Sequence, residues 1–161
     1  MAIEKWVAGS GAGLTWADAV AAADLNALAS GSSTITTTIT VTNGTALDIF
    51  ADFSVALKAG GTTASPNFVG VYLYPLNQDG TTYGDNAVTS KSAVTPSASY
   101  WVGNIIVPTG VTSGNFVYGQ INRVLLPPGS FRWVIQNNLG VALFSDANSI
   151  CKYRTYNRDI A

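Results

Sequence analysis

Along most of the chain hydrophobic and polar positions alternate with a period of two, the signature of strands that bury one face. The clearest run is 47–58, where Leu47, Ile49, Ala51, Phe53, Val55 and Leu57 alternate with Asp48, Phe50, Asp52, Ser54, Ala56 and Lys58. The first set predicts an apolar inward face, and the second, Asp48 and Asp52 included, a face open to solvent or a partner. Before it, the β-branched run from Thr34 to Val41 predicts another strand. Shorter runs at 68–74, 100–107, 116–125, 130–136, 141–144 and 150–156 bring the expected strands to eight.

The separators are turn formers: Asn43-Gly44, Asp79-Gly80, Pro127-Pro128-Gly129, Asn137-Asn138-Leu139-Gly140 and Asp146-Ala147-Asn148. Strands joined by turns rather than helices form antiparallel sheets. The prediction is an all-β, antiparallel two-sheet sandwich, jelly-roll-like, in preference to a closed barrel. No repeat points to a solenoid or propeller. Asn43-Gly44-Thr45 also spells a glycosylation acceptor, but the turn explains it.

Residues 1–32 follow a different pattern. A Gly9-Ser10-Gly11-Ala12-Gly13 stretch follows Trp6, and Thr15 with Asp18 resembles a capping box. Residues 17–29 favour helix, and Gly31 sits where a left-handed C-terminal residue belongs. Trp16, Val20, Leu25 and Leu28 give a partial apolar stripe, which so short a helix must dock on its own domain or on a neighbour. Two units are therefore expected: an N-terminal arm with a short helix over 1–32, and the sandwich over 33–161.

Composition narrows the chemistry. Charged residues are 11% of the 161, while hydrophobic residues reach 47%, so the chain can build a core yet presents a nearly neutral exterior rich in Thr, Ser, Asn and Gly. Histidine is absent, which removes the commonest general base and metal ligand. Cys151 is the one cysteine; it cannot form an internal disulfide or anchor zinc, and reads as a buried small hydrophobe. The net charge of −1, with no basic cluster beyond Lys152, Arg154 and Arg158, speaks against nucleic acid. No leader-like apolar segment and no run long enough to span a bilayer is present, so neither standard export nor a membrane partner is expected. Residues 123–161 hold five basic and two acidic side chains, a local +3 against −4 before them, an asymmetry able to orient identical subunits.

Among acid/base candidates, Asp48 and Asp52 share a face but lie about 13 Å apart along an extended strand, too far for a glycosidase pair. They read as solvated positions. Asn77-Gln78-Asp79-Gly80-Thr81 through Asp85-Asn86 collects oxygen ligands without a complete calcium-loop spacing, and reads as a turn. Trp6, Trp16, Trp101 and Trp133 with seven tyrosines could stack on sugar rings, although Trp101 and Trp133 lie in strand patterns that favour the core. No catalytic residue, cofactor or metal is expected, and the chain does not read as an enzyme.

Certain segments carry a resemblance: Trp16-Ala17-Asp18, then Ala23 through Gly31, and Val41-Thr42-Asn43-Gly44-Thr45-Ala46-Leu47-Asp48. With Val71-Tyr72-Leu73-Tyr74-Pro75, Asp79-Gly80 and Leu126-Pro127-Pro128-Gly129 leading into Phe131-Arg132-Trp133, the chain resembles small virion proteins of tailed bacteriophages. The resemblance implies a capsid decoration or cement protein, made in the host cytoplasm and seated on the capsid surface as a homotrimer that locks capsomers. Its partners would be the major capsid protein and sister subunits, gripped through Ile3, Trp6, Leu14, Trp16, Leu25 and Leu28. Deleting residues 1–31 would then leave a folded sandwich unable to assemble. The alternative is a tail-fibre or receptor-binding module that contacts glycans through exposed tyrosine and tryptophan.

Overall fold

The computed structural model describes residues 4–8, 14–35, 39–86 and 95–160. Among them run β1 (Glu4–Ala8), β2 (Ala17–Val20), a single-turn α1 (Ala22–Leu25), β3 (Val41–Thr42), β4 (Phe50–Lys58) and β5 (Phe68–Pro75). They are followed by β6 (Trp101–Ile106), β7 (Phe116–Leu125), β8 (Ser130–Asn138) and β9 (Ile150–Ile160). One antiparallel sheet has the order β1-β9-β4-β7, with β2 also on β9; the other is β3-β8-β5-β6. With β1 and β2 sharing one place beside β9, these are the two strand orders of a jelly roll.

The alternation in β4 works as its pattern predicts from Ala51 onward. Ala51, Phe53, Val55 and Leu57 join Val69, Val71 and Leu73 of β5 and Phe131, Trp133 and Ile135 of β8 in the core between the sheets. Trp133 is fully buried at its centre, its ring 4.8 Å from Phe53, 5.9 Å from Phe131 and 6.2 Å from Tyr153. Cys151 is buried there too, and desolvation pushes its thiol pKa far up. Where edge strands β6 and β7 meet, a Cβ on Gly119 would fall 2.0 Å from Ile105 Cγ2, so the sheets approach there because that position has no side chain.

The outer face of the four-stranded sheet is sealed by the chain's own loops. Ile35, Tyr72, Tyr74, Tyr83 and Val134 are buried together, with Leu76 and Tyr100 against them. The Tyr74 hydroxyl donates to Asp85 at 2.6 Å, and that of Tyr72 to Gln136 at 3.2 Å. Burial raises Tyr72, Tyr74, Tyr153 and Tyr156 above the ordinary 10.0, with Asp85 and Asp52 adding to Tyr74 and Tyr156 respectively. The folded state thus holds these protons more tightly than the unfolded state. Their contribution is complete below the ordinary tyrosine pKa and is lost as pH rises through the folded values. Urea stability should accordingly fall above the ordinary value of 10.0, with the phenolate absorbance of these four appearing only as the chain unfolds.

Several expectations need correction. Residues 17–29 form no long helix: Ala17–Val20 pair with β9, Asp18 bridges Lys152 at 3.2 Å instead of capping, and α1 is four residues long. Sheet pairing outweighs alanine's helix propensity here. Leu25 and Leu28 are fully buried in this chain's core, while Leu143 N donates to the Leu28 carbonyl at 2.9 Å. Ala19, Val20, Leu25 and Leu28 thus join the core of the sandwich. Deleting 1–31 would strip Ala19, Val20, Leu25 and Leu28 from the core. The Thr-rich run yields only a bridge at Ser33 and β3, its 36–38 portion lying outside the described residues. Residues 141–144 contribute a bridge, Ala59 to Leu143, and no strand.

Candidate functional site

Two surfaces stand out among the described residues. The first is at the end of the sandwich where β3 leads into β4 and β7 leaves toward β8. Leu125 pairs with Phe50, and Leu126 N donates to the Ile49 carbonyl at 2.9 Å, so these segments are held side by side. Leu47 (57% exposed), Ile49 (45%), Trp101 (52%) and Leu125 (70%) all present large apolar groups to solvent there. Trp101 and Leu125 line one shallow hollow, Leu47 and Ile49 another. Trp101, expected in the core, begins edge strand β6, and its indole donates to Asn104 at 3.1 Å. Leu47 and Ile49 precede β4, which is why they escape the inward face their spacing predicted.

The loop that exposes them is pinned from beneath. Asn43 accepts from Asp48 N at 2.7 Å while its amide donates to the carbonyls of Asp48 (2.8 Å) and Pro127 (3.0 Å). Asn157 donates to the Asp48 carboxylate at 2.9 Å and accepts from Ile49 N at 2.9 Å. Asp48 is therefore buried, contrary to the expectation of a solvated position. The Asn43 amide nitrogen, the atom a sugar would need, is taken by two backbone carbonyls, one of them across the chain at Pro127.

The second surface is the outer face of the five-stranded sheet. Asp52, also expected in solvent, is 6% exposed and accepts four hydrogen bonds there. Arg154 on neighbouring β9 donates to it through Nε (3.0 Å) and Nη2 (2.9 Å), and the Tyr156 hydroxyl (3.0 Å) and Arg123 N (3.1 Å) complete the set. Arg123 has a left-handed φ of 60° at the point where the β4–β7 register shifts, so Asp52 ties down a bulge. Trp16 lies over the Arg154 guanidinium, 4.8 Å from Cζ to ring centroid. An open hollow of about 350 Å³ beside this network is lined by Leu14, Gln120, Asn122 and Arg123 together with Asp52, Arg154 and Tyr156. A second, of about 200 Å³, lies further along β4 between Trp16, Ser54, Ala56, Tyr118, Ile150 and Lys152.

The predicted contact residues separate in space. Leu14 is exposed and Trp16 half-buried on this outer face. Trp6 falls in β1 opposite Arg158 of β9, its side chain lying outside the described residues, as does Ile3 entirely. Leu25 and Leu28 are buried in the core of this chain. Sequence reasoning missed Ser54, Tyr118, Gln120 and Asn122, although the alternation through 116–125 already placed three of them on one strand face.

Three further described carboxylates are engaged by neighbouring groups of the fold. Asp79 turns back on its own loop, held down at about 2 by hydrogen bonds from Thr82 and Thr81. Asp85 accepts from Tyr74 and from Ser97 N, and Asp146 pairs with Lys58 at 2.6 Å. Among the described residues, no three His, Cys, Asp or Glu side chains gather into a metal-binding group. Comparison of the chain with protein-family models, with curated proteins and with solved structures finds no match in any of the three.

Proposed function

We propose that the chain is a non-enzymatic structural protein of a tailed-bacteriophage virion, a decoration protein seated as a homotrimer on the outside of the capsid and stabilising capsomer contacts. The observation that carries this reading is the apolar end formed by Leu47, Ile49, Trp101 and Leu125 on an otherwise charge-poor jelly roll. Large apolar side chains clustered at one exposed end mark a protein-binding surface, and a neutral exterior costs little to desolvate. The engagement of the carboxylates in turns and strand ties, and the sequence resemblance described above, agree with a role without catalysis.

The test is imaging and sedimentation of particles from the phage that carries this chain. Density on the head at capsomer junctions is expected, and density confined to the tail, or absent from the particle, overturns the reading. A Trp101→Ala/Leu125→Asp variant alters only exposed positions, so its stability should stay within about 1 kcal/mol of the parent. It should no longer sediment with capsids lacking the protein. Sedimentation equal to the parent's would remove this end as the docking surface.

A further inference from the structure

The outer face of the five-stranded sheet has the form of a trough. Between Asp52 and Ala56 the central strand β4 shows the surface only Ser54 and Ala56, both small, over a rise of about 14 Å. Tyr118, Gln120 and Asn122 of β7 flank it on one side, and Ile150 and Lys152 of β9, with Trp16 and Leu14, on the other. Tyr118 is 71% exposed and stacks on Phe116 with centroids 5.9 Å apart. Among the described residues the side chains of Ser54, Gln120 and Asn122 make no hydrogen bond, whereas two of the cations nearby are paired, Arg154 with Asp52 and Lys152 with Asp18.

We propose that this trough binds a neutral oligosaccharide of about three pyranose units, a length set by the strand rise. A sugar offers hydroxyls around its rim and C–H bonds on its faces. Two planar amides and a hydroxyl left without partners match the rim, and the exposed Tyr118 ring with the Trp16 edge of the trough matches the faces. Pairing of Arg154 and Lys152 with carboxylates takes up most of the attraction an acidic glycan would need, with Arg123 the further cation bordering the trough. A peptide fits less well. Both edges of β4 are already committed to β7 and β9, so the floor offers no free backbone ladder for strand addition.

This inference stands apart from capsid docking, because it concerns free sugar and the purified chain. A printed array of neutral glycans probed with the full chain, followed by calorimetric titration of the strongest hit, should show saturable binding with a change in tryptophan fluorescence. Gln120→Ala/Asn122→Ala and Tyr118→Ala should each weaken that binding by about tenfold or more, while Leu47→Ala, at the far apolar end, leaves it unchanged. All these positions are exposed, so the variants retain the fold, which is checked by their melting. An array without hits overturns the proposal, as does binding indifferent to these substitutions. Capture of an extended peptide at the same residues, with no sugar bound, overturns it as well.

Discussion

Replacing Trp133 with alanine is expected to lower the unfolding free energy by about 3–5 kcal/mol, the range for deleting a fully buried large aromatic side chain. The indole touches both sheets through Phe53, Phe131 and Tyr153, so the void would open where the sandwich is thickest in aromatic contact. A domain of this size has a total stability on the order of 10 kcal/mol, and the change should appear plainly in urea titration. Trp133→Phe supplies the informative contrast. Among the described residues the buried indole N–H has no hydrogen-bond partner, and phenylalanine removes that orphan donor along with some volume. Its expected cost is below about 2 kcal/mol; a loss equal to that of alanine would show that indole volume, not ring burial, holds the sheets at their spacing.

The second large effect belongs to Asp52→Ala, expected to cost about 2–4 kcal/mol because it leaves a buried tyrosine hydroxyl, a bulge amide and a guanidinium unsatisfied together. The figure is set below that of a wholly buried pair because the Arg154 side chain is 31% exposed. Asp52→Asn keeps the shape and one acceptor, and should lose about half as much. The measurement is again the urea midpoint. An Asp52→Ala chain as stable as the parent would refute the view that this carboxylate pins the β7 bulge at Arg123.

What the sequence reveals depends on how local each cause is. β7 matches its expected bounds and β4 its alternation from Ala51, because period-two patterning and the flanking turns are written within a dozen residues. Asp52 could not be read the same way: Arg154 and Tyr156 lie more than a hundred residues away, and only the sheet order brings them beside it. Residues 17–20 favour helix by composition, yet their backbone partners are in β9 at the other end of the chain. Ile35 belongs to a β-branched run that suggests a strand, but it is used to cap the tyrosine cluster. Trp101 looked like a core residue because its neighbours alternate, and its exposure follows from β6 lying at an edge. Of the candidate surfaces, the trough was legible only as a strand face, and the apolar end was not legible at all.

The position of β9 governs when this molecule can become complete. It is the last of the nine strands among the described residues, yet β1, β2 and β4 all pair with it. Until it leaves the ribosome, the earlier strands wait with exposed ladders, and their closure spans nearly the whole chain, a topology associated with slow folding. A chain cut before residue 150 would therefore lack the common partner of three strands and leave their ladders open.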